Sequence, residues 1–496
     1  MSAPHLDRSI PDIRIRTVND APASPHGEYV LYWMIAQRRL RWNFALDHAL
    51  SQAHRRGQKL LVLEALRCDY PWASERLHRF VIDGMAANAR RAAEAGVRYY
   101  AYVEPEPGAG KGLLEALASS ASLVVTDDFP AFFLPRMVEA AGRKLNVRLD
   151  AVDSNGLLPL RAAQKVYKRA VDLRRFLQKA LPPHLLESPS AEPLADLADG
   201  STSAAQVAED ITTRWPDWSH RLLSGERPDL AALPIDHNVL PVQEEGGSDA
   251  ARARMSDFLE SDLPRYQDGR LDLENPSTSR LSPYLHFGHI SPHEVFAELI
   301  EQESWRPDQL GETARGQREG WWGMSENAEA FLDELITWRE LGYNNCHQLD
   351  DYDRFTSLPE WAQRSLHEHL DDERPHLYEL GAFERAETHD ELWNAAQREL
   401  VRDGRIHNYL RMLWGKKILE WSATPQDTLD VMIELNNKYA VDGRNPNSYS
   451  GIFWVLGRHD RAWGPERPIF GKVRFMSSDS ARRKLKLGRY LERYSA

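Results

Sequence analysis

Cysteine is nearly absent from this chain. With only Cys68 and Cys346 in 496 residues, it builds neither a disulfide framework nor a Cys-rich zinc site. No apolar run approaches the roughly 20 residues that a membrane-spanning helix needs. The first 27 residues mix charge and proline without the apolar stretch of a secretory leader. Glycine is missing from the turn Ile35-Ala36-Gln37-Arg38-Arg39, which removes the dinucleotide fingerprint from the first strand–helix junction. Gly108-Ala109-Gly110-Lys111-Gly112 fails as a phosphate loop, because Pro105 stands where the first glycine belongs and Gly112 where Mg²⁺ needs a hydroxyl. His367 and His369 point to different helix faces and make a poor metal site, so no metal is expected. Cys346 beside His347 reads as a semi-buried structural pair rather than a thiol nucleophile.

What remains is an ordinary globular composition, 42% hydrophobic and 27% charged, in a chain too long for one core. The expectation is an intracellular enzyme of two or three domains, cytoplasmic or nucleoid-associated, nuclear if eukaryotic. Net charge is −12, which argues against a polyanionic partner. Yet Val401–Ala496 carries 18 Lys and Arg against 10 Asp and Glu. A basic end on an acidic protein points to a local polyanion site.

Residues 28–160 alternate short apolar runs (Tyr29–Met34, Leu60–Leu66, Val97–Val103, Ser122–Thr126, Val147–Val152) with helical stretches (Leu40–Arg56, Ser74–Ala95, Gly112–Ala118, Phe132–Lys144). That order predicts an α/β N-terminal domain with a doubly wound parallel sheet, Rossmann-like in architecture. Residues 161–255 read as a long linker, since Leu181–Gly247 is rich in proline, serine and acids without sustained periodicity. Residues 256–496 read as a mostly α-helical domain. Asp308–Ala328, polar and glycine-rich around Trp321 and Trp322, looks like an inserted loop.

The residues that carry chemistry lie between Tyr266 and Arg474. Thr278-Ser279-Arg280-Leu281-Ser282 places three hydroxyls and a guanidinium at a helix entrance, which suits a phosphate but is equally an ordinary N-cap. Glu334 and Trp338 share a helix face at a spacing of four. Trp414 and Trp421 lie two turns apart on one face, a spacing usual for core packing, but Asn408, Arg411 and Lys416 beside them do not belong to an apolar core. Leu435–Asn447 gathers Asn436, Asp442 and Arg444 into a turn-rich stretch ahead of Trp454.

Taken together, Val30–Met34, Leu392–Gln397, Met412–Trp421, Lys438–Asn447 and Gly471–Met476 resemble the signatures of the photolyase–cryptochrome flavoproteins, and most closely those of class II cyclobutane pyrimidine dimer photolyases. The resemblance implies FAD in the helical domain. It implies a phosphate clamp at Tyr266 and Thr278, Ser279, Arg280, Leu281 and Ser282. Around the flavin ring it implies Asn408, Arg411 paired with Asp442, Asn436 facing flavin N5, and Arg444 nearby. For substrate, DNA containing pyrimidine dimers, it implies Glu334, Trp338, Met412 and Trp454 at the flipped dimer and Arg474 intruding into the duplex. The basic tail from Arg482 through Arg493 then reads as phosphate contacts. Trp393, Trp414 and Trp421 match an electron-transfer chain to the flavin.

The implied activity is repair by light-driven electron transfer from reduced FAD to the dimer, with a folate or deazaflavin antenna compatible with the N-terminal domain but selected by no residue. Four rivals stand beside it: a cryptochrome-like photoreceptor, a (6-4) photoproduct enzyme, a DNA- or RNA-binding protein that uses FAD structurally, and a nucleotide-dependent enzyme working through the α/β domain, which the failed glycine patterns weaken. Monomer is the default state.

Overall fold

The computed structural model describes residues 10–197 and 204–496. The readings that fall on residues 1–9 and 198–203, within the leader and linker stretches, lie outside the described residues. Six strands form one sheet: β1 (Ile15–Thr17), β2 (Tyr29–Met34), β3 (Lys59–Leu66), β4 (Arg98–Val103), β5 (Ala121–Asp127) and β6 (Leu149–Val152). Their order is β1-β6-β5-β2-β3-β4, parallel throughout except for β1 against β6. After edge strand β1 the chain enters the buried centre at β2, runs outward through β3 and β4, then returns to the other side of β2, which is the doubly wound arrangement the sequence predicts. Strand β1 escapes prediction because three half-exposed residues at an edge carry no alternation.

Helices α1 (Phe44–Arg56), α2 (Glu75–Glu94), α3 (Leu113–Ala118) and α4 (Leu134–Gly142) fill the crossovers. Helix α1 starts later than predicted because the Asn43 side chain accepts from the N–H groups of Ala45 and Leu46, and it stops at Gly57, whose φ of 61° suits glycine.

At the point where the strand order reverses, a doubly wound sheet usually receives a ligand. Here the Asp127 carboxylate fills it. One oxygen accepts from Tyr32 Oη at 2.8 Å, the other from the backbone N–H of Ile35, Ala36 and Gln37 at 2.9, 2.7 and 2.9 Å. The donors that would face a phosphate are thus satisfied internally. The Gly108–Gly112 turn is similar, since Gly110 N–H donates to Glu104 at 3.0 Å.

By internal contacts the chain forms two compact units, one of residues 1–163, 180–255 and 281–307, the other of 164–179, 256–280 and 308–496. These differ from the predicted boundaries of 28–160, 161–255 and 256–496. Most of the expected linker is part of the α/β unit, because it covers the open edge of β4. Trp218 N–H donates to Ala101 O, Asp217 accepts from Ala101 N–H and Arg98, and Ser219 Oγ donates to Tyr99 O. Residues 281–307 join the same unit through His289, which stacks on Phe80 at 5.2 Å, and Glu294, which pairs with Arg41 at 3.3 Å. The second unit is helical, as expected. Among the described residues no helix is long and apolar enough to cross a membrane.

Asp127→Ala leaves three backbone donors and a phenol buried without an acceptor. It is expected to destabilise the α/β unit by at least about 3 kcal/mol, read as a lowered urea midpoint; an unchanged midpoint would show that water replaces the carboxylate.

Candidate functional site

A π-helical turn, Asp333–Trp338, interrupts the helical run between Glu326–Leu332 and Arg339–Gln348. Such turns recur at functional sites because they re-aim side chains. Arg174 fixes this one, holding both oxygens of Asp333 at 2.8 and 2.9 Å. The next residue, Glu334, meets Arg270 at 3.2 Å. Burial raises the Glu334 pKa, Arg270 opposes that, and Asp333 adds to it. The side chain still keeps 37% of its surface, so a ligand can reach a carboxyl whose proton affinity is already raised. Tyr266 is buried against Phe258 and Phe331, with Arg270 over its ring. Arg270 was not legible in the sequence: it pairs with Glu334 across 64 residues and belongs to no motif.

Trp338 and Trp454, both matched by the resemblance to dimer contacts, lie stacked on each other, centroids 4.7 Å apart at 19°. They are one stacked pair rather than two jaws around an opening. The Trp454 Nε1–H is buried with no acceptor among the described residues.

Helix Asn408–Trp421 carries the next group. Arg411 pairs with Asp442 at 3.8 Å, as expected. Asn408 is exposed and Met412, one turn on, is half-buried. Asn436 is buried and donates to Asn437 Oδ1 at 3.2 Å, whose own amide donates to Tyr449 Oη. A Cβ on Gly443 would lie 2.8 Å from Asn436 O, so only glycine lets the turn after Tyr439 close this tightly. Arg444 sits in that turn at φ 64°, with its guanidinium on the carbonyls of Asn437 and Val441. Its visible work is to hold the turn. Around the first turn of the helix, Asp442 Oδ1 is buried without a hydrogen-bond donor among the described residues, and the His407 ring, its nitrogens buried, meets the Arg270 backbone. Native interiors leave few unmatched polar atoms, so a ligand that offers a donor fits here.

Thr278, Ser279 and Arg280 belong to the helical unit; Leu281 and Ser282 fall in the other. Ser282 opens a helix of five residues, and the residue before it, Leu281, is buried and offers no capping side chain.

Trp393, Trp414 and Trp421, each 3% exposed or less, form one array. Trp393 Nε1–H donates to Trp414 O at 3.0 Å, Trp414 Nε1–H to Gln397 at 2.9 Å, and Trp393 meets Trp421 edge-on at 6.0 Å. Trp421 in turn touches Tyr378 at 5.8 Å and His389 at 4.9 Å, the latter stacked on exposed His376. The sequence missed Tyr378 and both histidines, since they lie in irregular segments.

No family model matches the chain. It is 33% identical to a deoxyribodipyrimidine photo-lyase of Methanothermobacter thermautotrophicus, over 97% of both chains. It is 31% identical to one of Arabidopsis thaliana, over 93% of this chain and 88% of that one. The chain belongs to the deoxyribodipyrimidine photo-lyase family of enzymes. A class III photolyase of Agrobacterium tumefaciens, 17% identical, shares the fold with a TM-score of 0.63 over 94% of this chain and 86% of that one.

Two further regions of this photo-lyase family member depart from simple expectation. Arg474 is exposed as predicted, and it faces Trp463, an exposed indole that Arg461 also covers; the sequence reading passed over both. The basic tail is partly internal. Arg482 pairs with Asp390, Arg493 with Asp403, and Tyr490 and Tyr494 donate to Glu399 and Asp403. Cys346 is buried and its thiol pKa is pushed up by burial, which suits a structural role.

Lys416 is fully buried, with Val455 O its one acceptor among the described residues, and burial lowers its pKa to about 7. The unfolded chain therefore binds a proton that the folded one lacks between pH 7 and the ordinary lysine value of 10.5. Stability from this residue rises with pH across that window and falls as pH drops through it. Lys416→Met is expected to gain on the parent by about 1 kcal/mol per pH unit as pH falls from 10 to 7, measured by urea unfolding at each pH; a pH-independent difference would show that Lys416 stays charged.

Proposed function

We propose that this chain repairs cyclobutane pyrimidine dimers in DNA by a light-driven electron transfer, in the manner of the class II enzymes its motifs resemble. The observation that carries the reading is the grouping, in one helical unit, of Arg411–Asp442 with its unmatched carboxylate oxygen and Glu334 on its π-helical turn. Bound and reduced, FAD would supply the photoexcited electron that splits the dimer. Arg411 balances negative charge on the ring, Asp442 orients Arg411, and Asn436 presents an amide to the ring edge. Tyr266, Thr278, Ser279 and Arg280 are the residues on this unit that would meet the phosphates.

Substrate residues follow from the same geometry. A flipped pyrimidine packs on the free face of the Trp338–Trp454 pair. Glu334 bonds the pyrimidine, donating to a carbonyl when protonated or accepting from a ring N–H when ionised, and Arg270 holds the carboxyl in place. Arg474 and Trp463 stand where a wedge would enter the gap left in the duplex. Trp393, Trp414 and Trp421 carry electrons inward to the flavin.

Purified, photoreduced protein is expected to restore thymine absorbance in a thymine-dimer oligonucleotide under blue light and not in darkness. Repair of a (6-4) photoproduct instead, or photoreducible FAD with no repair, would move the assignment to the corresponding rival. Glu334→Ala is expected to lower repair per absorbed photon roughly tenfold or more with FAD content unchanged. Trp421→Phe is expected to retain FAD and repair after chemical reduction, while losing most light-driven reduction of the flavin.

A further inference from the structure

The segment Gln164–Lys179 holds six Lys and Arg against a single acid, Asp172, which Arg169 neutralises at 2.7 Å. Read from sequence as linker, it belongs to the helical unit and carries helix α5 (Ala170–Ala180). It is firmly seated. Tyr167 stacks on Phe176 at 5.1 Å, Asn344 bonds the backbone on both sides of Val166, and Leu173 and Leu177 are buried. Buried Arg174 ties the helix to Asp333, next to Glu334.

The inserted loop Asp308–Ala328 is fastened onto this helix. Gly316 N–H donates to Gln178 at 2.7 Å, Arg174 and Gln178 donate to the carbonyls of Gly316 and Gln317, and Arg175 donates to Arg315 O. Gly316 has φ 80°, and a Cβ there would come within 2.6 Å of Val171 O, so the close approach requires glycine. On its far side the loop is held by buried Trp321 and Trp322 and by Glu329, which accepts from Gly320, Gly323 and Met324.

The docked loop and helix place Lys165, Lys168, Arg175, Lys179, Arg315 and Arg318 in solvent, and none pairs with a carboxylate among the described residues. Glu312 and Glu319 lie on the same loop as counter-charges. Arg318 and Arg174 both act on Glu334, drawing its pKa down against burial, which places this basic surface beside the candidate lesion site. In a chain of net charge −12, unpaired cations held by a rigid loop call for an anionic partner.

We infer that this surface, built from helix α5 and the inserted loop, binds the phosphate backbone of duplex DNA flanking the lesion, and so extends the footprint beyond the flipped dimer. The inference rests on the photolyase reading above and assigns it a surface. Each phosphate neutralised contributes about −0.9 to the slope of log affinity against log salt.

The test compares two probes, a duplex of about 30 base pairs with a central thymine dimer and a single strand of about six nucleotides carrying the same dimer. Lys168→Gln/Arg175→Gln/Lys179→Gln is expected to weaken duplex binding about tenfold near 0.1 M salt and to flatten its salt slope by about two to three. Binding and light-driven repair of the short strand stay as in the parent. Arg315→Gln, which leaves helix α5 intact and is remote from Glu334 in the interactions above, gives the same pattern with a smaller flattening of about one. Equal weakening on both probes, or none on either, would overturn the inference. Failure of the parent to repair either probe would instead overturn the photolyase reading, while the duplex salt slopes still report on the surface.

Discussion

A buried carboxylate must find donors, and the two units meet that demand in different ways. Asp127 has four, and they close the crest of the sheet so completely that the point where such sheets usually take a ligand is filled by the protein's own side chain. Asp442 has Arg411 at a loose 3.8 Å and an oxygen without a hydrogen-bond donor. Burying polar groups unsatisfied costs of the order of 1–3 kcal/mol each. The satisfied carboxylate therefore marks structure, and the loosely paired one keeps an acceptor to spare.

The sheet was legible because β2 to β5 are almost wholly buried strands between helices, and such strands read as largely apolar runs with clear stops. What was illegible depends on pairing across distance. Strand β1 gains its identity from β6, and the stretch after Ala180 gains its place from the edge of β4; neither dependence leaves a local pattern. The site divides in the same way. Asp442 and the three buried tryptophans sit in motifs whose resemblance exposes them, and Glu334 and Arg411 follow from the same resemblance outside those motifs. Arg270, Tyr378, His389 and Trp463 acquire meaning only through partners far along the chain or in irregular segments. Arg444 shows the converse: it lies inside a motif, and its guanidinium serves the backbone of its own turn.

The stacked indoles qualify the substrate reading in a specific way. Two aromatic faces in contact at 4.7 Å are worth roughly 1 kcal/mol beyond their burial. Inserting a base between them would first break that contact, whereas stacking on the outer face would not. The buried Nε1–H of Trp454, lacking an acceptor, adds a hydrogen bond for any pyrimidine carbonyl that reaches it. Both effects favour a lesion that lies against the pair over one held inside it, and both leave Glu334 as the group that fixes its orientation.

Net charge misled in this chain because fields are local. At about 0.1 M salt, charges farther apart than about 10 Å barely sense one another. An acidic total of −12 then says little about a surface where six cations stand together on a clamped loop and helix. The C-terminal excess of basic residues was the conspicuous signal; there Arg482 and Arg493 face carboxylates of their own unit, while Arg483, Lys484, Lys486 and Arg489 stay exposed without one among the described residues. The segment that looked like linker holds such unpaired cations as well. For a polyanion, the relevant quantity is not how many basic residues a segment contains but how many remain unpaired once the chain has folded.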